Sequence, residues 1–180
     1  MLPVEILISE HSLILLFVNL IEKEIQEIKG TKVFKPSLIS AVVDFFKIYA
    51  DKYHHGKEEG ILFKGLSQKK LSEAGHKMMI DLIMEHAFAR KKIHRLESVK
   101  ESYVEGKTEM VQDALQLFND LITLYPKHIE KENSQFFYQS MKYFTQEEQN
   151  DMLERSRQFD QNFTNKHYKQ IVDALEKQVP

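Results

Sequence analysis

The chain of 180 residues contains no cysteine. This absence excludes disulfides, thiolate metal sites and cysteine nucleophiles at once. Any metal site in this protein must therefore be built from imidazole and carboxylate groups.

Glycine (6 residues) and proline (4 residues) are scarce, and Pro3, Gly30, Pro36 and Gly106 fall where helices would begin or end. Apolar residues recur every three or four positions over long segments, which is typical of amphipathic helices. No segment shows sustained alternation with a period of two, so strands are not expected. The sequence predicts an all-α protein with long helices at about residues 4–29, 36–63 and 72–103, another from about 108, and a last one at about 145–176.

Neither positive nor negative charge is in large excess, because the formal net charge is only -2. No global field favours nucleic acid or an anionic membrane. The first ten residues lack the pattern of a secretion signal. The longest uninterrupted apolar run, residues 13–18, is far shorter than the ~20 residues that span a bilayer. We expect a cytoplasmic protein with no nucleic-acid or membrane partner and a single domain, its core at about 4–140.

Each of the four predicted bundle helices carries one histidine on its apolar stripe: His11, His55, His86 and His128. A lone core histidine is usually structural. Burying four imidazoles in one core without a shared partner would cost a few kcal/mol for each unsatisfied group. A metal centre would satisfy all four together.

Two of these histidines are followed one helical turn later by a carboxylate, as His55 with Glu59 and His128 with Glu132. Residues at i and i+4 lie on one face of a helix, so each pair presents a nitrogen and an oxygen to the same point. A carboxylate can bridge two ions. The pattern predicts a dinuclear site, and mixed imidazole and carboxylate ligands suit iron, manganese or zinc.

Several blocks resemble the hemerythrin-like (HHE cation-binding) family: Glu10-His11, HHGKEEGILF at residues 54–63, Glu85-His86 with Arg90, and YPKHIEKEN at residues 125–133. The resemblance implies an up-down four-helix bundle that holds two iron ions with an oxo or hydroxo bridge. It places ligands at His11, His86 and His128, with Glu132 as one bridge. The HHGKEE block supplies a further histidine and the second bridge.

That block offers two frames, His54 with Glu58 or His55 with Glu59. Positions 55 and 59 continue the apolar stripe of Phe45, whereas 54 and 58 continue a polar face. An α-helical stripe therefore favours His55 and Glu59, and leaves His54 and Glu58 as groups that could approach from the edge.

Arg90 stands where oxygen-carrying hemerythrins have a second histidine on the third helix, and arginine does not ligate metal. We therefore expect four histidines, two carboxylates and an open position, with Tyr125 as a candidate ligand or hydrogen-bond donor. The resemblance implies a protein that binds or reacts with O2, NO or peroxide in sensing, storage, scavenging or iron supply. The alternatives are a di-iron oxidase or peroxidase, and a helical interaction module with a structural metal. The oligomeric state is not predicted.

Overall fold

A computed structural model describes residues 1–161, and these are helical with no strand among them. The predicted end of the last helix, at 162–176, lies outside the described residues. The elements are α1 (Pro3–Thr31), α2 (Pro36–Asp44), π1 (Phe45–His55), π2 (Glu58–Phe63), α3 (Lys64–Leu66), α4 (Glu73–Val104), α5 (Met110–Lys131), π3 (Glu132–Phe136), α6 (Phe137–Ser140), a 3₁₀ turn (Met141–Tyr143) and α7 (Gln146–Gln161).

Local sequence signals explain most helix ends. Proline occupies the first turn of both α1 and α2, where its missing N–H is not needed. The Ser72 hydroxyl caps α4 by accepting a hydrogen bond from the Gly75 N–H at 3.1 Å. A capping box opens α7, because Thr145 and Glu148 exchange side-chain to backbone bonds of 3.3 and 2.8 Å.

The second predicted helix is continuous from residue 36 to 66, but much of it is not α-helical. Residues 45–55 and 58–63 adopt the wider π-helix, in which hydrogen bonds run from i to i+5. A third π segment begins at Glu132, directly after α5. These segments change which side chains face the interior, and they coincide with the predicted metal ligands.

Four long helical segments surround the core: α1, α2 with π1, α4 and α5. The packed pairs are α1 with α5, α5 with α4, α4 with α2 and π1, and π1 with α1. The hydrophobic core has two clusters. One contains Phe17, Phe46 and Phe118, and the other contains Leu66, Leu82 and Phe137. On each segment the predicted ligands fall between residues of the two clusters, so a polar layer crosses the bundle.

By length and composition, α1 would also be long and apolar enough to cross a membrane. Half of its most apolar window is buried against the other helices, as in the core helix of a bundle. The same helix carries His11 and Glu10 into the interior. Its hydropathy therefore has an explanation in the packing of this fold.

Candidate metal centre

Five histidines and two glutamates meet in the polar layer, all of them buried. Their ligand atoms form two groups, and the atoms of each group all lie within 4.8 Å of one another. The first group, called position A, consists of His11, His54 and Glu132. The second, called position B, consists of His55, Glu58, His86 and His128. The structure thus brings together five of the six favoured residues, and adds His54 and Glu58 from the alternative frame.

The sequence favoured Glu59 as a ligand facing the interior, but in the structure Glu59 lies outside both groups. Its side chain is 34% exposed, and its carboxylate accepts hydrogen bonds from Arg90 at 2.8 Å and from His86 Nδ1 at 2.7 Å. Glu58 is fully buried and faces the cluster instead. Burial alone would raise the pKa of Glu59, but the bonds from His86 and Arg90 hold it below its ordinary value.

The π-helix is the physical reason for this correction. The choice of Glu59 rested on extending an α-helical stripe from Phe45 through fourteen residues. Because π1 closes its turns at i to i+5, that stripe rotates before it reaches the HHGKEE block. In this register His54 and His55 are both buried, and each belongs to one of the two ligand groups.

Four of the histidines are held from outside by an oxygen acceptor on Nδ1. The pairs are His11 with Asn133 at 2.9 Å, His54 with Glu10 at 2.9 Å, His86 with Glu59 at 2.7 Å, and His128 with Glu85 at 2.8 Å. In each pair Nδ1–H donates, which fixes the tautomer and leaves a lone pair on Nε2. Outer hydrogen bonds of this kind orient metal-binding histidines.

The inward Nε2 atoms face one another at short distances. His11 and His54 approach at 2.9 Å, and His86 and His128 at 3.1 Å. Where two neutral imidazoles both donate through Nδ1, two lone pairs meet, which is repulsive. At His86 and His128 the raised pKa of His128 instead places a proton between the two nitrogens, at the point that a cation would occupy. A cation between the nitrogens removes the conflict, so the arrangement fits a metal ion at each pair.

Glu58 and Glu132 lie between the two positions. None of their four carboxylate oxygens has a hydrogen-bond partner of good geometry, although all are buried. Glu132 lies 3.2 Å from His11 Nε2 and 3.0 Å from His128 Nε2, and Glu58 lies 3.4 Å from His86 Nε2 and 3.7 Å from His54 Nε2. Each glutamate therefore contacts histidines of both positions, as a bridging carboxylate must.

Burial and neighbouring charges shift the pKa values of several groups in this cluster. Burial and the neighbouring Glu132 raise the pKa of Glu58 well above its ordinary value. Burial and His11 lower the pKa of His54 to about 4, and burial and His86 lower that of His55 strongly. Burial would lower the pKa of His128, but Glu132 and Glu85 raise it to about 9. A divalent ion favours the deprotonated form of every one of these groups.

The two halves of the chain repeat one motif that the sequence analysis missed. Glu10-His11 corresponds to Glu85-His86, and the pattern His-x-x-Lys-Glu occurs at 54–58 and again at 128–132. In each half the glutamate before the first histidine binds Nδ1 of the second, and the lysine of the pattern binds that same glutamate. The repeat is visible in the two histidine blocks of the sequence, and it indicates equivalent roles for Lys57 and Lys131.

Arg90 does not enter the cluster. Its guanidinium donates to Asp51 at 2.7 Å and to Glu59 at 2.8 Å, and its side chain is 35% exposed. His55 stacks on His86 with ring centroids 3.7 Å apart, and His54 joins the cluster in addition to the four predicted histidines. The cluster therefore contains five histidines where the sequence predicted four.

A cavity of about 220 Å³ reaches the cluster at His55. Tyr125 lies in its wall, 3% exposed and stacked on Phe46 at 4.6 Å. Tyr125 belongs to neither ligand group, and its hydroxyl has no hydrogen-bond partner among residues 1–161. Burial, with Asp51 nearby, raises its pKa. The tyrosine thus borders the approach to position B.

Comparison with known proteins gave one match, to the family described as the hemerythrin HHE cation binding domain, over residues 2–139. Searches of curated proteins and of solved structures gave no match. The matched range contains every residue of positions A and B. On this coverage, and with the cluster in place, the chain belongs to the hemerythrin HHE cation-binding domain family.

Proposed function

We propose that this cation-binding protein holds two metal ions. His11 and His54 would bind one ion at position A, and His55, His86 and His128 the other at position B. Glu58 and Glu132 would bridge the two ions. The observation that carries this proposal is the two pairs of facing Nε2 atoms, 2.9 and 3.1 Å apart, beside two fully buried carboxylates that have no hydrogen bond of good geometry.

We propose iron as the native metal, with an oxo or hydroxo bridge between the ions. Five imidazoles and two carboxylates suit iron, and manganese or zinc is compatible with the same ligands. The family resemblance of the HHGKEE and HIEKE blocks favours iron. The cyclic packing of consecutive long segments likewise supports an up-and-down four-helix bundle with α7 added to it.

The proposed function is the binding or reaction of O2, NO or peroxide in sensing, storage, scavenging or iron supply. When bound, the metal pair supplies redox chemistry and a binding position for such a ligand. The protein supplies the route, because the cavity lined by Tyr125 ends at His55 on position B.

The same cavity favours a second candidate function, a redox enzyme of the oxidase or peroxidase class. Its volume of about 220 Å³ exceeds what a diatomic molecule needs. A cavity of ~150 Å³ in another protein accommodates benzene. A small organic reductant could therefore enter, with the free Tyr125 hydroxyl available to it.

Metal analysis tests both candidates. The apoprotein is loaded with Fe²⁺, Mn²⁺ or Zn²⁺ without oxygen, desalted, and analysed for metal per chain by mass spectrometry. We expect two ions per chain, and in the iron form a change in visible absorption on exposure to O2, NO or H2O2. His94→Ala is the control, because that side chain is 72% exposed and lies outside the cluster. Less than one ion per chain for all three metals would refute the dinuclear centre.

A further inference from the structure

The C-terminal helix α7 lies beyond residue 139, where the family match ends, and it packs on the segment that carries His54 and Glu58. A Cβ added to Gly56 would lie only 3.0 Å from the Phe159 ring. Arg155 donates to the Gly60 carbonyl at 3.0 Å. The helix therefore follows the HHGKEEG segment closely.

Lys57 is the buried contact in this interface. Its side chain is 1% exposed, and its ammonium donates to Glu10 and, at 2.7 Å, to Asp160 of α7. The ammonium also lies 3.7 Å from the centre of the Tyr53 ring. A buried charge costs several kcal/mol unless it is paired, and here two carboxylates and an aromatic face compensate it.

The second oxygen of Glu10 connects this ion pair to the metal site. It accepts the hydrogen bond from His54 Nδ1 at 2.9 Å, and His54 Nε2 faces position A. A continuous chain of contacts thus runs from Asp160 through Lys57 and Glu10 to His54. Each contact restricts the orientation of the next group.

The equivalent chain in the other half stops earlier. His128, Glu85 and Lys131 repeat the contacts of His54, Glu10 and Lys57, but Lys131 is 27% exposed. Within residues 1–161, Lys131 has no second carboxylate partner. The two proposed metal positions therefore differ: α7 covers the outer hydrogen bond of His54 at position A, whereas those of His86 and His128 at position B are partly open to solvent.

We propose that Asp160 is a positioning residue for position A, and that α7 makes this position retain its metal longer than position B. The proposal rests on the proposed dinuclear site. Neutralising Asp160 removes one of the two carboxylates that hold the Lys57 ammonium in place. A less firmly held ammonium in turn fixes the orientation of Glu10 towards His54 less firmly. Loss of the direct hydrogen-bond partner of a ligand, here Glu10, typically lowers metal affinity by roughly 10–100-fold. Asp160 acts on Glu10 through Lys57, so its loss should have a smaller effect.

The test uses the full chain loaded with Zn²⁺, which has no redox chemistry, and an excess of chelator. We expect release in a fast and a slow phase, with the slow phase absent from His54→Ala. Asp160→Asn should accelerate the slow phase by roughly 2–10-fold, less than loss of Glu10 itself would, and leave the fast phase unchanged. Asp151→Asn is the matched control, since Asp151 lies on the same helix, is 67% exposed and, within residues 1–161, forms an ion pair with Arg155 alone. Lys131→Met should alter the fast phase alone.

Equal release from Asp160→Asn and Asp151→Asn would overturn the proposal. Equal acceleration of both phases would overturn it too, because it would indicate general loosening. NMR of the metal-free protein gives a readout independent of metal: Asp160→Asn should shift the His54 Nδ1–H signal and not that of His128. Wild-type protein that binds no zinc would refute the proposed function, and the NMR shift would still decide whether Asp160 positions His54.

Discussion

Adjacent residues of the HHGKEE block provide the most direct test of the site. Glu58 is fully buried between the two metal positions, whereas Glu59 is 34% exposed and binds Arg90. Glu58→Gln and Glu59→Gln are the same change in neighbouring residues, and both keep the size of the side chain. The structure predicts opposite roles for the two, with Glu58 as a bridge and Glu59 as an outer partner of His86.

In the metal-loaded protein, Glu58→Gln should bind at most one ion per chain. At a free metal concentration 100-fold above Kd, each occupied position adds about 2.7 kcal/mol to the free energy of unfolding. For a chain of this length, 1 kcal/mol shifts Tm by about 2–4 °C. Loss of one position should therefore lower the Tm of the loaded protein by roughly 5–11 °C. Glu59→Gln should still bind two ions at saturating metal, with an affinity lowered by roughly 10–100-fold.

Without metal, Glu58→Gln should be more stable than the wild-type protein, which is the reverse of the order expected with metal. The carboxylate of Glu58 is buried beside Glu132 without a good partner, which costs about 1–3 kcal/mol. Replacing it with a neutral amide should raise the Tm of the chelator-treated protein above that of wild type. Scanning calorimetry with and without metal, together with metal analysis, measures both effects. Two ions in Glu58→Gln and one in Glu59→Gln would show that the site uses the other frame.

Three further predictions concern other parts of the site. His55→Ala should reduce zinc from two ions towards one per chain by metal analysis, while His94→Ala should not; unchanged zinc in His55→Ala would exclude His55 as a ligand. Because the pKa of His128 is raised to about 9, the metal-free protein holds this proton at pH 7 and zinc must displace it. Zinc binding should therefore release protons at pH 7 and strengthen as the pH rises towards 9, which calorimetry in buffers of different ionisation enthalpy measures; binding that strengthens at lower pH would contradict this. Gly60→Ala should stabilise the protein by about 0.5–1 kcal/mol in urea unfolding, because nothing lies within 4 Å of the added carbon. Gly56→Ala should be less stable than Gly60→Ala by about 1–3 kcal/mol, because its added carbon meets the Phe159 ring. Equal values for the two variants would argue against close packing of Phe159.

The sequence predicted the features that depend on α-helical periodicity. The long helices and the burial of His11, His86 and His128 follow from apolar spacing, which records the face a helix presents to the core. The frame of the HHGKEE block did not follow. Its register depends on the hydrogen bonding of π1, which has no simple sequence signal, and a stripe extended from Phe45 therefore selected Glu59.

Long-range partners were also beyond the sequence. Arg90 pairs with Asp51, 39 positions earlier, and Lys57 pairs with Asp160, 103 positions later. Periodicity gives the face of a helix but not the residue that another helix places opposite it. The repeat of His-x-x-Lys-Glu was visible, and it would have predicted a role for both lysines.

The wide turns of π1 also bear on how such a centre changes during evolution. A π-helix arises when one extra residue is accommodated within an α-helix, and the extra residue advances everything after it around the helix axis. Removal of a single codon within residues 45–53 would shorten this segment by one residue and rotate the HHGKEE block by about 100° around the helix axis relative to the residues before it. Other side chains of the block would then face the cluster. The set of ligands available to the centre can therefore change through one small deletion, without substitution of any ligand.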